Sequence, residues 1–162
     1  MTIPTADLCD YFIDELQVAK PEMLNFGGKG SFHGEIVTVK VFDDNVIFKS
    51  LLQTDGNGRV IVVDGAASTY CALMGDNLAQ LAIDNNWAGV VINGCIRDAA
   101  QIALMEVGVF AIGTCPRKSN KNGEGETNVA VAFSGVLFKP GHFLYADEDG
   151  IVVCERELTL PQ

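Results

Sequence analysis

The run Arg59-Val60-Ile61-Val62-Val63-Asp64-Gly65 constrains the fold more than any other feature of this 162-residue chain. Its four central residues are all β-branched, and a strand without polar alternation is typical of one that is buried on both faces. Further apolar strands are predicted over residues 88–92 and 109–112. A helix is predicted before each of them, over 76–86 and near 98–106. This alternation predicts a βαβ core with parallel strands.

The segment before this core predicts a helix, a strand and a second, shorter helix. Thr5 is placed to cap the first helix, and Leu8, Tyr11, Phe12 and Leu16 are spaced to form its apolar face. The other predicted elements of this segment are a strand over 36–42 and a helix over 46–53 that is capped by Asn45.

After the polar stretch 116–127 the pattern changes to short strands separated by turn residues. The strands are predicted over 128–133, 136–139, 143–146 and 151–155, with Gly135, Pro140-Gly141 and Asp149-Gly150 between them. We therefore expect an α/β fold of mixed sheets layered with helices. No long linker divides the chain, so a single domain over 1–162 is predicted.

Composition and charge exclude several classes of function. With 48% hydrophobic and 20% charged residues the chain is typical of a compact globular protein. No apolar run is long enough to cross a membrane, and the start of the chain lacks the features of a secretion signal, so we expect a cytoplasmic protein without a membrane partner. A net charge of −10 disfavours direct binding of nucleic acid. Five scattered cysteines without a CxxC pair indicate neither disulfides nor zinc.

Asp76, Arg97 and Asp98 form the most informative polar constellation. Twenty residues separate Asp76 from the Arg97-Asp98 pair. Gly75 and Asp76 open a predicted helix, whereas Arg97 and Asp98 lie just past the end of a predicted strand. Both positions are places where α/β proteins bind small ions.

These residues suit a 2-oxo acid. The first backbone N–H groups of the helix, in Gly75-Asp76-Asn77-Leu78, are unpaired and favour a carboxylate. Arg97 can donate two hydrogen bonds to the same ligand and stabilise a developing enolate oxygen. Asp98 can hold a divalent cation such as Mg²⁺, which needs only one or two protein carboxylates. Asp76 can position the water that moves protons.

A structural interpretation of the same residues competes with this one. An aspartate at the start of a helix is commonly a cap, and an Arg-Asp pair is commonly a surface salt bridge. The other polar residues favour structural roles. His33 and His142 lack the spacing of metal ligands, Cys95 has no adjacent histidine and is expected to pack, and residues 119–127 are expected to form a mobile surface loop.

Six segments of the chain resemble one known family, and they cover nearly its whole length. They are Asp7-Leu8-Cys9-Asp10, Asn25-Phe26-Gly27-Gly28, Ile36-Val37-Thr38-Val39-Lys40, Val62-Val63-Asp64-Gly65, Gly94-Cys95-Ile96-Arg97-Asp98 and His142-Phe143-Leu144-Tyr145-Ala146-Asp147. The chain is similar to the regulator of ribonuclease E activity A family. This family overlaps with the class II 4-hydroxy-4-methyl-2-oxoglutarate / 4-carboxy-4-hydroxy-2-oxoadipate aldolases.

The metal-dependent members of that family carry the pattern D-x20-R-D-x2-D/E, which this chain matches at Asp76, Arg97 and Asp98. The resemblance implies that Gly75, Asp76, Asn77 and Leu78 bind the pyruvate moiety of a substrate, that Arg97 contacts its oxygens, and that Asp98 coordinates the metal. The last acidic position of the pattern is Gln101 here, a departure that puts support of the metal or its waters in doubt.

The resemblance also implies a swivelling β/β/α domain, a ring-shaped homotrimer and one of two functions. The first is metal-dependent cleavage of 4-hydroxy-4-methyl-2-oxoglutarate to two pyruvates, with oxaloacetate decarboxylation as a side activity. The second is non-catalytic inhibition of ribonuclease E, through binding of that enzyme or an associated helicase. Because ribonuclease-regulating members often lack an aspartate after the arginine, Asp98 favours the lyase. A third label used in the family, menaquinone-pathway methyltransferase, lacks support because no glycine-rich S-adenosylmethionine loop follows a first strand.

Overall fold

The computed structural model describes residues 2–162 and contains one large mixed sheet, a small hairpin, four α-helices and a short 3-10 helix over Ile13–Glu15. The helices are α1 (Thr5–Phe12), α2 (Val46–Leu52), α3 (Asp76–Asp84) and α4 (Ala99–Ile102). The strands are β1 (Gln17–Val18), β2 (Leu24–Asn25), β3 (Phe32–Lys40), β4 (Val60–Met74), β5 (Gly89–Ile96), β6 (Gly108–Thr114), β7 (Glu126–Thr127), β8 (Val131–Phe133), β9 (Val136–Phe138), β10 (Phe143–Asp147) and β11 (Gly150–Cys154).

The large sheet has the order β1-β11-β10-β3-β4-β5-β6-β2, and β7 adds to β3. Its centre, β3 to β6, is parallel, with Ile61 of β4 opposite Val90 of β5 and Val91 opposite Phe110 of β6. The predicted βαβ core is therefore confirmed. β5 continues four residues beyond its predicted end to Ile96, which brings the chain to the edge of the sheet where α3 begins.

Both faces of the parallel centre are covered, as the β-branched run predicts. Ile61 and Val63 pack on the side of the helices, in one cluster with Phe48 of α2. Val60 and Val62 pack on the other side, where the β8–β9 hairpin covers them. The layers are thus helices, sheet and hairpin, and the expected α/β fold of sheets layered with helices is confirmed. The trimer stays a prediction.

Two strands extend beyond their predicted bounds because of pairing that a local pattern does not reveal. β3 begins at Phe32, before the predicted start at residue 36, since its first residues pair antiparallel with β10. β4 runs to Met74 through three register shifts against β5. Ala66 and Ala67 in this stretch have positive φ. In such an irregular strand, apolar and polar residues do not alternate regularly, so the sequence pattern does not predict it.

Two helical predictions need correction. Thr5 is the first residue of α1 rather than its cap, and its backbone N–H and hydroxyl both donate to Asp147, at 2.8 and 2.7 Å. Tyr11, predicted to face inward, is 62% exposed. The helix predicted near 98–106 ends at Ile102, because Leu104 and Met105 form tighter turns that return the chain to β6. Within residues 2–162 the longest and most apolar helices are too short to cross a membrane.

The ring of Phe32, at the start of β3, lies across a pair of glycines in β5 and β6. Gly89 of β5 and Gly108 of β6 are opposite each other, and a β-carbon on either would overlap the Phe32 ring. The ring itself is 5% exposed and meets Phe110 edge to face, with 5.9 Å between the ring centroids. The absence of side chains at both positions is what gives the ring its place in the core.

We expect Gly108→Ala to lower the free energy of unfolding by about 1–3 kcal/mol, because the new methyl group forces Phe32 out of its position. Phe32→Leu should relieve part of this overlap. The cost of the double variant should therefore be less than the sum of the two single costs, measured by urea unfolding. Strictly additive costs would show that the ring and Gly108 do not compete for space.

Candidate active site

The start of α3 and the end of β5 meet at the carboxyl edge of the parallel sheet. Gly75 is the N-cap of α3, and the first hydrogen bond of the helix runs from the N–H of Ala79 to the carbonyl of Gly75, at 3.1 Å. The N–H groups of residues 75–78 therefore have no acceptor within the helix. The N–H of Arg97 donates to the carbonyl of Met74 at 2.9 Å, which fixes the chain beyond β5 beside the start of α3.

Asp98 is anchored to α3 by its own carboxylate. The residue has φ 57° and ψ 39°, a left-handed conformation that aspartate tolerates better than most residues. Its Oδ2 accepts the backbone N–H of Asp76 at 3.0 Å. A β-carbon at Gly75 would lie 2.6 Å from this oxygen, so a residue with a side chain there would displace the carboxylate. The glycine is required by this close approach.

The structural interpretation of the constellation does not fit this geometry. Gly75, not Asp76, is the N-cap, and the side chain that accepts an N–H at the start of α3 is that of Asp98. Over residues 2–162 the ion pair found is Arg156 with Glu15, so Arg97 and Asp98 do not form a salt bridge with each other. Arg97 is exposed and its Nη1 lies 3.5 Å from the carbonyl of Pro116, a long contact. Its guanidinium thus has donors left for a ligand.

All six predicted site residues, Gly75, Asp76, Asn77, Leu78, Arg97 and Asp98, line one cleft of about 510 Å³. The cleft wall also carries Lys49, Lys118 and Lys121. Four of the eleven lysines and arginines of the chain therefore line it, against two of the 21 acidic residues. A protein with a net charge of −10 has here a locally cationic cleft, which favours a small anion with more than one negative charge.

The lysines of the cleft could not be predicted from the sequence motif, because they reach the cleft from elsewhere in the chain. Lys121 belongs to residues 119–127, for which the sequence predicts a mobile loop, yet its Nζ donates to Oδ1 of Asn45 at 2.6 Å and to Oγ of Ser119 at 3.3 Å. Burial lowers the pKa of Lys121, and the neighbouring cations Lys49 and Arg97 lower it further. No local motif marks this residue, since its position depends on contacts across 76 residues of chain.

The two histidines, Cys95 and Gln101 lie outside the cleft. His33 stacks on Tyr145, with 5.5 Å between ring centroids. Cys95 is 1% exposed, and burial raises the pKa of its thiol, so it is a packing residue as predicted. Gln101 is exposed on α4 and does not line the cleft. This chain therefore offers no side chain from that position to the cleft.

Asp98 is the residue of this cleft best suited to a hard divalent cation. Over residues 2–162 the structure has no group of three or more His, Cys, Asp or Glu side chains placed to hold a metal ion. A cation at Asp98 would therefore take most of its ligands from water and from a bound substrate, which is how proteins commonly hold Mg²⁺. The donor set fits such an ion and does not fit zinc, which favours several nitrogen or sulfur ligands.

Comparisons with known proteins agree on the family and the fold. The model of the RraA-like family, described as Aldolase/RraA, matches residues 5–153. A protein of Aromatoleum aromaticum named "Putative 4-hydroxy-4-methyl-2-oxoglutarate aldolase" is 51% identical over 158 residues, which cover 98% of this chain and 99% of that protein.

Two solved structures share the fold over almost the entire chain. One, described as S-adenosylmethionine: 2-dimethylmenaquinone methyltransferase from Geobacillus kaustophilus, has a TM-score of 0.95 and 51% identity, with 99% of each chain covered. The other, described as the RNA-processing inhibitor RraA from Thermus thermophilis, has a TM-score of 0.94 and 38% identity, and 98% of this chain and 96% of that chain are covered. The sequence match and the shared fold together establish that this chain belongs to the RraA-like family of aldolase and RraA proteins.

Proposed function

We propose that this protein is a divalent-metal-dependent lyase that cleaves 4-hydroxy-4-methyl-2-oxoglutarate to two pyruvates and also decarboxylates oxaloacetate. The observation that carries the proposal is the cleft itself, in which the first turn of α3, Arg97 and Asp98 lie beside three lysines. The names of full-length relatives at about half identity give the same reaction class. The proposed substrate has two carboxylates, as a cationic cleft favours.

The pyruvoyl end of the substrate binds at the start of α3. Its carboxylate accepts hydrogen bonds from the free N–H groups of Asn77 and Leu78, where the helix dipole also favours negative charge. Arg97 donates to the same group of oxygens from the other side of the cleft. A divalent cation held by Asp98 would supply a Lewis acid to the carboxylate and keto oxygens of the substrate.

Asp76 and Arg97 then assist the cleavage of the carbon–carbon bond. A water positioned by Asp76 takes the proton of the 4-hydroxyl group, the bond between C3 and C4 breaks, and its electron pair moves to the C2 carbonyl to give an enolate. One pyruvate forms from C4, C5 and the methyl group. Arg97 stabilises the negative charge of the enolate oxygen, and a proton returned to C3 gives the second pyruvate.

Oxaloacetate gives the same enolate by losing carbon dioxide instead of a pyruvate. Its C3–C4 bond breaks with release of carbon dioxide, and the electron pair again moves to the C2 oxygen beside Arg97. Protonation at C3 gives pyruvate. Because both reactions pass through the same enolate, one cleft serves both, and only the aldol cleavage also needs the water that takes the 4-hydroxyl proton.

The second carboxylate of 4-hydroxy-4-methyl-2-oxoglutarate lies toward the lysine wall of the cleft. Lys121 is the lysine whose amino group is fixed there, since Asn45 and Ser119 both accept from it. Two of its three N–H donors are used in these contacts, and the third is available to a carboxylate. Lys121 thus recognises substrates that carry a second negative charge.

We expect Arg97→Ala and Asp98→Ala each to lower pyruvate release at least about 100-fold, because each removes stabilisation of charge in the cleft. Release is measured through lactate dehydrogenase with Mg²⁺ and then with EDTA, which should abolish the wild-type activity. Matched controls are Arg156→Ala and Asp84→Ala, which remove exposed residues outside the cleft and should keep the wild-type rate. Full activity in both site variants would show that these residues do not act in the reaction.

We expect Lys121→Met to raise the KM for 4-hydroxy-4-methyl-2-oxoglutarate about tenfold and to change kcat less, since a contact to the second carboxylate contributes mainly to binding. The control is Lys20→Met, which removes an exposed lysine that does not line the cleft. The same rise in both variants would point to the overall charge of the protein instead of a contact made by Lys121.

A second candidate function is regulation of RNA processing through binding of ribonuclease E or an associated helicase. It is favoured by the likeness to the structure described as the RNA-processing inhibitor RraA. Outside the cleft the surface is acidic, which would suit a basic partner segment. We expect such binding to weaken steeply with salt and to be unchanged in Asp98→Ala, as measured by pull-down with purified ribonuclease E. The absence of binding at low salt would remove this function.

A further inference from the structure

Asp44 is a buried carboxylate that joins the start of α2 to the loop over residues 118–125. The residue is 2% exposed. Its Oδ1 accepts the N–H of Val46 at 3.1 Å, and its Oδ2 accepts the N–H groups of Asn122 at 2.7 Å and Glu124 at 3.4 Å. One side chain therefore satisfies backbone donors from two segments almost 80 residues apart.

The loop also bonds to the residues on either side of Asp44, and at its start Lys118 bridges to Ala72 of β4. The N–H of Asn120 donates to the carbonyl of Asp43 at 2.7 Å, and Lys121 donates to Asn45 as described above. Asn45 is itself fixed to β4, since its Nδ2 donates to the carbonyl of Leu73 at 3.0 Å. These contacts place the amino group of Lys121 at the cleft.

Between residues 120 and 125 little else holds the loop in place. Residues 120–125 are all exposed, so burial of apolar surface contributes little to their position. Gly123 and Gly125 have φ of 78° and 141°, conformations that glycine adopts freely and that leave an unfastened chain mobile. Hydrogen bonds to a fixed acceptor are therefore the main restraint on this part of the chain.

Resting on the function proposed above, we infer that Asp44 is a positioning residue: it fixes the 118–125 loop so that Lys121 selects 2-oxo acids with a second carboxylate. Burial alone would disfavour the ionised form of Asp44, but the N–H groups of Val46, Asn122 and Glu124 outweigh burial and lower the pKa of its carboxyl. The carboxylate is thus charged at neutral pH, and hydrogen bonds to a charged acceptor are stronger than neutral ones.

The test compares the affinities for two ligands that retro-aldol cleavage cannot consume, pyruvate and 2-oxoglutarate, by calorimetry with Mg²⁺. The wild-type protein should bind 2-oxoglutarate more tightly. In Asp44→Asn the preference should fall about tenfold while the affinity for pyruvate stays unchanged, because the charge that fixes Lys121 is lost. The preference should fall by the same factor in Lys121→Met and in the double variant Asp44→Asn/Lys121→Met. The reason is that Asp44→Asn and Lys121→Met remove the same contact to the second carboxylate.

The matched control is Asp147→Asn. Asp147 is another buried carboxylate, 9% exposed, that accepts from the backbone N–H groups of Thr5 and Asp149, but it lies outside the cleft. Its variant should lose stability and keep the ligand preference. Should Asp44→Asn fail to fold, Asn45→Ala removes the acceptor of Lys121 without touching the loop backbone, and the preference should fall in the same way.

An unchanged preference in folded Asp44→Asn, an unchanged preference in Asn45→Ala where Asp44→Asn does not fold, or an additive loss in the double variant would each overturn the positioning role. Amide hydrogen exchange at Asn122 and Glu124 separates this failure from failure of the proposed function. Faster exchange in Asp44→Asn than in Asp147→Asn supports the fixed loop even if the wild-type protein shows no lyase activity. Unchanged exchange would show that Asp44 does not hold the loop.

Discussion

The hydrogen bond from the backbone N–H of Asp76 to the carboxylate of Asp98 is the contact on which the cleft depends. It joins the start of α3 to the end of β5, and it is possible only because Gly75 leaves room for the oxygen. The same bond orients the carboxylate that is best suited to a metal and leaves Asn77 and Leu78 to bind an anion. In the proposed function, this one small contact would place a cation and an anion side by side.

Charge is distributed unevenly around this contact. The protein as a whole is acidic, whereas the cleft collects four cations from α2, the end of β5 and the 118–125 loop. A fixed cluster of like charges is costly unless a ligand or a buried acceptor compensates it. Asn45 supplies one such acceptor, and the lowered pKa of Lys121 reflects the remaining burial and repulsion. The positive charge of the cleft thus favours the binding of an anionic ligand.

The parts of the fold that could be predicted are those with a regular pattern. The β-branched run at 60–63 and the alternation of strands with helices gave the parallel core, because burial on both faces leaves a clear composition. The stretch 66–74 of β4 could not be predicted, since bulges and positive φ at Ala66 and Ala67 remove the alternation. The true contacts of Thr5 were also hidden, because its acceptor, Asp147, lies 142 residues away.

The sequence by itself determined the strand core, the helix start at Gly75-Asp76 and the spacing that sets Arg97 and Asp98 just beyond a strand. These are local properties, written in neighbouring residues. The tertiary structure decided that the two segments touch, that Asp98 bonds to α3, and that Lys121 enters the cleft on a loop held by Asp44 and Asn45. Such contacts join distant parts of the chain, and only packing brings them together.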